Sequence, residues 1–447
     1  MRRVALALSA LAVLAGCASR IELPGSVLAL ETAPGVRAVG APVDWHNVDA
    51  ATGLVADVPG LEALAEAFPD SASVRLRLLQ AYLAAGDRAG VATAARWLRQ
   101  REHHLPPAAQ DAVVAMVGSA DAGQLPGGSP FSEPVEASAL VSTIGPHAQL
   151  PEAFLFDPAT GREFVTTVVS RAVFIRHTEA GGGAEAWSEV TIPGAGSLGG
   201  IALDAARGLL WVGSGVLEQT PDPHSVFRGV IGIDRDTLAV MRRVAAPVGV
   251  TIADIGVAPD GTVYGSDPLG GGIYGAAPDS TEMHTLVPPG TFRSPQGIAV
   301  RPTGRSLFVS DYRHGLAEVT LGPRPHVYRV QTALPAALDG IDGLWIHDND
   351  LIAVQNGLSP ARIVAFRLGE GIANIANHRV LERANPAWTE PLGGAMTGGA
   401  LYYVGNGSWG LYGRGGQADE GQTAEGRGQP VTRLHRLDLR VDPPRTP

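Results

Sequence analysis

From residue 150 onward, short apolar runs bounded by Gly, Pro and Asp recur in a fixed order, the pattern of strands joined by tight turns rather than of helices. A first run ends in a turn: Ala153-Phe154-Leu155-Phe156 before Asp157-Pro158-Ala159-Thr160-Gly161, Gly200-Ile201-Ala202-Leu203 before Asp204, and Ile255-Gly256-Val257 before Ala258-Pro259-Asp260-Gly261. It returns as Gly297-Ile298-Ala299-Val300, Gly343-Leu344-Trp345-Ile346 and Gly394-Ala395-Met396, each again followed by turn residues. A second apolar run follows each turn (Phe164-Val165, Leu210-Trp211-Val212, Val263-Tyr264, Leu307-Phe308-Val309, Leu351-Ile352-Ala353-Val354, Leu401-Tyr402-Tyr403-Val404), and a third comes after a short gap. The residues just ahead of the first runs are Glu152, Gly199, Ala253, Gln296, Asp342 and Glu390, separated by 47, 54, 43, 46 and 48 positions. Six such units, with a fourth edge strand in each gap, predict a mainly β fold, a six-bladed β-propeller spanning 145–440, with 441–447 as a tail. Closing a ring hides strand edges that would otherwise template aggregation.

The period is different upstream. Leu61, Leu64, Ala65 and Phe68 precede Pro69-Asp70; Leu76, Leu79, Tyr82 and Leu83 precede Gly86-Asp87; Val91, Ala94, Ala95 and Leu98 follow. Steps of three and four between these breaks predict helical hairpins over 56–117. Pro69, Tyr82, Gly86 and Asp87 resemble the tetratricopeptide motif over little more than one repeat, with His103 where the next Pro is expected. A peptide-binding module and a packing or spacer element both remain open. Residues 118–144, rich in Ala, Gly, Ser and Pro, read as a linker, and 17–55 as a tether leading into irregular structure.

The balance of charge narrows the partners. The chain has 447 residues and a formal net charge of −10, and all 34 basic side chains are Arg. An acidic chain without a basic stripe excludes nucleic acid as a partner, and the absence of Lys excludes Schiff-base, Walker-A and Ser-Lys chemistry. Gly194-Ala195-Gly196-Ser197-Leu198-Gly199 matches a G-x-G-x-x-G string but runs into a strand, which excludes dinucleotide binding. His103-His104 lies at a helix end and reads as structural.

Met1-Arg2-Arg3 followed by the apolar stretch Val4 to Leu14 reads as a signal peptide over 1–16, too short to span a membrane as a mature helix. Leu14-Ala15-Gly16-Cys17 resembles the lipobox of bacterial lipoproteins, which implies a lipid on Cys17, the chain's one cysteine. The partner there is the membrane, through that lipid, and the location is the bacterial cell envelope. Ala18 leans toward the outer membrane facing the periplasm where the organism has one.

In each unit the first and second strands form a hairpin, so the start of one and the end of the other share a face. That places Glu152, Gln296, Asp342 and Glu390 near the axis, with Asp267, Asp311, Asn356 and Asn406 further out. Converging oxygen ligands suit a hard cation, whereas Asp and Asn at strand ends also bond local backbone. Leu150-Pro151-Glu152, Ser294-Pro295-Gln296-Gly297-Ile298, Asp342-Gly343-Leu344 and Val354-Gln355-Asn356-Gly357 resemble the senescence-marker-protein/gluconolactonase family over about 145–440. The resemblance implies Glu152, Gln296 and Asp342 as ligands of a divalent metal, usually Ca²⁺. It also implies Asp342 as the general base in hydrolysis of a small-molecule lactone or related ester. Gln296 stands where the family has Asn and keeps a carbonyl oxygen one methylene further out. Ala253-Asp254 stands where the family has a substrate-contacting Asn, so Asp254, Asn356 and Glu390 are the candidate substrate or rim residues. A non-enzymatic scaffold that binds an envelope protein or glycan is the alternative reading. The Gly-, Gln- and Glu-rich stretch from Gly410 to Gly428 interrupts the sixth unit as a loop over one face.

Overall fold

The computed structural model describes residues 41–48, 53–119, 133–177, 186–418 and 431–440. The signal peptide, the lipobox with Cys17 and the tail lie outside them. The fold is mainly β: its described strands form five sheets, one of them an eight-stranded sheet that holds the first and the last of the units numbered from the sequence runs. The first is Pro151–Asp157, Arg162–Thr167, Ala172–His177 and Ser188–Thr191; the second is Ser197–Asp204, Leu209–Gly215, Gly229–Asp234 and Val240–Ala245. The third is Ile255–Val257, Val263–Ser266, Ile273–Ala276 and His284–Val287. The fourth begins with Pro295–Val300 and Ser306–Asp311, and the fifth with Gly343–His347 and Asp350–Gln355. The first strand of each unit touches that of the next in chain order. The sixth, Gly393–Thr397, returns to pair in parallel with the first through Gly393 opposite Ala153 and Gly394 opposite Phe154.

Two stretches read as irregular are strands. Ala139–Ile144, inside the predicted linker 118–144, is the outer strand of the sixth unit and pairs antiparallel with Thr432–Asp438. Chain from before the first unit therefore completes the last. Val43–Asp44, inside the predicted tether 17–55, adds a fifth strand outside Val327–Arg329 of the fourth unit. Trp45 beside it is buried against Phe68 and Phe292, and its indole N–H donates to the Thr291 carbonyl at 2.9 Å.

Four helices precede the sheets: α1 (Val58–Ala67), α2 (Ala72–Ala85), α3 (Arg88–Gln100) and α4 (Pro107–Val117). Their ends are written in the sequence. Asp57, Ser71 and Asp87 cap α1, α2 and α3 with side-chain oxygens, and Gly86 ends α2 at φ 71°, a conformation that costs glycine little. The helices pack directly on the sheets. Leu61, Leu79, Val91 and Val113 share one core with Phe292, Val309, Ala337 and Leu358 of the third to fifth units. The join is also polar: buried Asp339, in the loop ahead of the fifth unit, accepts from the amides of Ala72 and Ser73 at 2.9 and 2.7 Å and so caps α2 a second time. Because Asp311 pairs with Pro295, the loops that carry α1 to α4 lie on the face where the first strands of these units begin.

Candidate functional site

The axial face is built from the starts of the first strands. Bulges sit there in three units: the register shifts between Pro151 and Ala153, between Leu198 and Ile201, and between Pro295 and Ile298. A bulge releases a residue from the ladder and re-aims its side chain, which frees Glu152 and Gln296 from the pairing around them. Asp254, Asp342 and Glu390 each stand just ahead of the first strand of their units. The second unit supplies no side chain. A Cβ at Gly200 would lie 2.1 Å from Asp254 Oδ1, so glycine there makes room for the carboxylate of the next unit.

Glu152, Asp254, Asp342 and Glu390 are half-buried. Glu152 is held well above the ordinary carboxylate range, first by burial and then by the charges of Asp342, Glu390 and Asp254; the Trp409 indole N–H, donated to Glu152 Oε2 at 3.0 Å, opposes this. Burial, Glu390 and Asp254 push Asp342 up to about 7, and the Asn356 amide opposes them. Burial pushes Asp254 up to about 7 against the backbone N–H groups of Ile255 and Ile298, the latter 3.1 Å from Oδ2. Glu152 and Asp342 thus carry the repulsion of neighbouring carboxyl groups from other units, the condition that a shared proton or a bound cation relieves.

One arm of the site is a hydrogen-bonded line. Tyr312 donates its hydroxyl to Asn356 Oδ1 at 2.9 Å; Asn356 Nδ2 donates to Asp342 Oδ2 at 3.1 Å and to the Pro391 carbonyl at 3.0 Å. The amide is held by its oxygen and by both of its hydrogens, so Asp342 presents its second oxygen, Oδ1, in a fixed direction. Burial and the charges of Asp342 and Glu390 raise the Tyr312 phenol, which keeps it protonated as the donor.

The structure therefore gathers Glu152, Asp254, Asp342, Asn356 and Glu390. Gln296 stands at the start of its strand with its amide nitrogen donating to Ser294 Oγ at 3.2 Å. The outer set turns to local backbone instead. Asp267 accepts from the Leu269 amide at 3.1 Å; Asp311, fully buried, accepts from the amides of Arg293, Arg313 and His314; Asn406 donates to the Val431 carbonyl at 3.0 Å and accepts from the Arg433 amide. Sequence reasoning missed Tyr312 and did not place Trp409 in the site. Tyr312 follows Asp311 at the end of a second strand, one position past the residue singled out. Trp409 enters from the predicted loop, whose described part crosses to the first two units: Tyr412 is buried against Leu150, Val168 and Val169, and the Gly415 amide donates to the Glu218 carbonyl at 2.8 Å. Among the described residues no three His, Cys, Asp or Glu side chains come close enough together to hold one metal ion.

No family model matches the chain, and no curated protein does. Solved structures to which it is similar include a calcium-binding regucalcin from Agrobacterium tumefaciens, at 15% identity over 68% of this chain and 95% of that one, with a TM-score of 0.42. They also include a gluconolactonase from Xanthomonas campestris at 15% identity, covering 69% and 99%, TM-score 0.41. A PQQ-bound aldose sugar dehydrogenase from Streptomyces coelicolor matches at 17% identity, covering 69% and 99%, TM-score 0.43.

Proposed function

We propose that the chain is a six-bladed β-propeller of the senescence-marker-protein/gluconolactonase type, tethered to the cell envelope by lipid on Cys17, that hydrolyses a lactone or related ester at its axial face. The observation that carries the reading is that Glu152 and Asp342, from two units, are both raised by burial and by the charges of Glu390 and Asp254 from two others. Oxygen donors with uncompensated repulsion fit a hard divalent cation such as Ca²⁺, with Glu152, Asp342 and the carbonyl oxygen of Gln296 as the ligands. A cation bound there would polarise a carbonyl and lower the acidity barrier of water. The chain's own residues supply the proton acceptor. Asp342, raised by burial and by Glu390 and Asp254, would accept a proton at Oδ1 while Asn356, itself held by Tyr312, bonds its other oxygen. Asp254 and Glu390 border the substrate.

The alternative is the scaffold reading, in which the face binds an envelope protein or glycan without turnover. The two readings separate in a hydrolysis assay with a panel of sugar lactones and aryl esters, with and without Ca²⁺. The hydrolase reading expects cation-dependent turnover that falls at least a hundredfold in Asp342→Asn with the fold intact. Equal rates in the variant, or no turnover on any member of the panel, supports the scaffold.

A further inference from the structure

Where α3 ends against the fifth unit, a second group of ionisable side chains is buried. Arg362 and Arg383 stand directly opposite each other on the antiparallel strands Arg362–Leu368 and Asn374–Arg383. Arg383 has no exposed surface; its Nε–H donates to the Glu133 carbonyl at 2.8 Å, while Nη1 and Nη2 have no hydrogen-bond partner among the described residues. Arg362, 5% exposed, donates through Nε to Gln355 Oε1 at 2.9 Å. From the helical side come Glu102 and His103, 7% and 3% exposed. Glu102 Oε2 lies 3.6 Å from Arg362 Nη1, an ion pair beyond hydrogen-bond length, and neither of its oxygens accepts a hydrogen bond. His103 Nδ1 accepts from the Ser359 amide at 3.4 Å, which leaves Nε2 as the protonated nitrogen, and Nε2 is unpartnered too.

Like charges facing each other across a ladder repel, and a buried guanidinium with an idle edge loses the hydration it had in water without replacement. Nearby anions do not balance the pair. Glu382, on the neighbouring position, spends both oxygens on Ser138, Tyr403 and Asn385. Asp339 is committed to the amides at the start of α2. Glu133 is exposed, and His378, facing the same strands, is held neutral by burial and by Arg362. Burial pushes Glu102 itself up to about 8 despite both arginines, so the cluster has two firm positive charges and one weak negative one.

We propose that this joint is a binding site for a small oxyanion, a carboxylate or a phosphate, received on the Nη1–Nη2 edge of Arg383 and bonded by His103 Nε2–H and by Glu102 in its protonated form. The free edge of a guanidinium whose Nε is already engaged offers two parallel donors at the spacing of two oxygens on one carbon or phosphorus. An anion there neutralises the facing arginines and ties the end of α3 to the fifth unit, so occupancy stabilises the helical element on the ring.

The test uses the full chain in detergent, free of divalent cations, titrated calorimetrically with sodium phosphate and separately with sodium acetate against chloride at equal ionic strength. Saturable binding of one probe, with a rise in melting temperature, is expected, and the probe that binds identifies the anion class. Arg383→Gln is expected to weaken it at least tenfold, and Glu102→Gln, which keeps the donors and removes the competing charge, to tighten it about threefold and to abolish its weakening above pH 8. Neither probe binding the native chain, or binding unchanged in Arg383→Gln, overturns the proposal and leaves ordered water as the filler. Should Arg383→Gln fail to fold, unchanged affinity and pH dependence in Glu102→Gln overturns it equally.

Discussion

Two rings of acidic and amide residues sit on the same face of this molecule and have opposite fates. Asp267, Asp311 and Asn406, at the ends of second strands, each bond to backbone: Asp267 and Asp311 to amides of the turns they open, Asp311 also to Arg293, and Asn406 to Val431 and Arg433. One strand further in, the charges of Glu390 and Asp254 act on both Glu152 and Asp342, and that of Asp342 acts on Glu152. Residue type does not separate the rings; the supply of backbone N–H groups does. Where a tight turn offers several, as at Asp311, a carboxylate becomes part of the scaffold; at Glu152 a bulge takes the side chain out of the ladder, and Asp254, Asp342 and Glu390 stand ahead of the strands of their units.

Substitutions in the two rings should therefore differ in kind. The largest expected effect is Asp311→Ala, which leaves the amides of Arg293 and Arg313 and the His314 ring without their side-chain acceptor; a loss of about 3 kcal/mol in urea unfolding is expected. Asp342→Asn, in contrast, removes repulsion, so its unfolding midpoint is expected to be equal to or above that of the native chain. Gly200→Ala probes the border between the rings: its methyl group meets Asp254 Oδ1 and the backbone behind it, for an expected cost of about 2 kcal/mol and a displaced carboxylate.

The pH dependence sharpens the contrast. Asp254 and Asp342, near 7 in the folded chain against an ordinary 3.8, hold protons that the unfolded chain releases. Their stabilising contribution is complete below about pH 4 and is lost as pH rises through 7, whereas Asp311, lowered by His314 and three amides, contributes stability above the ordinary carboxylate pKa and loses it only in stronger acid. Unfolding midpoints at pH 5 and 8 are expected to fall with pH in the native chain without cation, and to fall less in a variant carrying both Asp254→Asn and Asp342→Asn. The smallest effect is that of Tyr312→Phe, which frees the Asn356 amide at a cost of about 1 kcal/mol or less. Its mark should be a kcat reduced more than KM and a shifted pH profile, since the phenol acts through Asn356 on Asp342.

The repeat that sets the first three strands of each unit is legible in the chain because each unit contains its own hairpins. Ala139–Ile144 and Val43–Asp44 are not, since each pairs with a strand nearly three hundred residues away and neither contains a turn that would fix its partner. Asp254 falls one position out of step with the other axial residues because the first strand of the third unit has only three residues. Asn356 was readable as a rim residue from its place after a second strand. Its role in orienting Asp342 required Tyr312, which comes from the neighbouring unit, and the same holds for Trp409 and Glu152, 257 positions apart.

The central claim is that the inner carboxylates form one electrostatic unit that a divalent cation completes. Calorimetric titration of the native chain and of Asp342→Asn with Ca²⁺ at pH 8 tests it most directly. Saturable binding in the native chain, weakened at least tenfold in the variant and accompanied by a rise in melting temperature, is the result expected. Absence of binding in a folded native chain, or equal affinity in the variant, contradicts it.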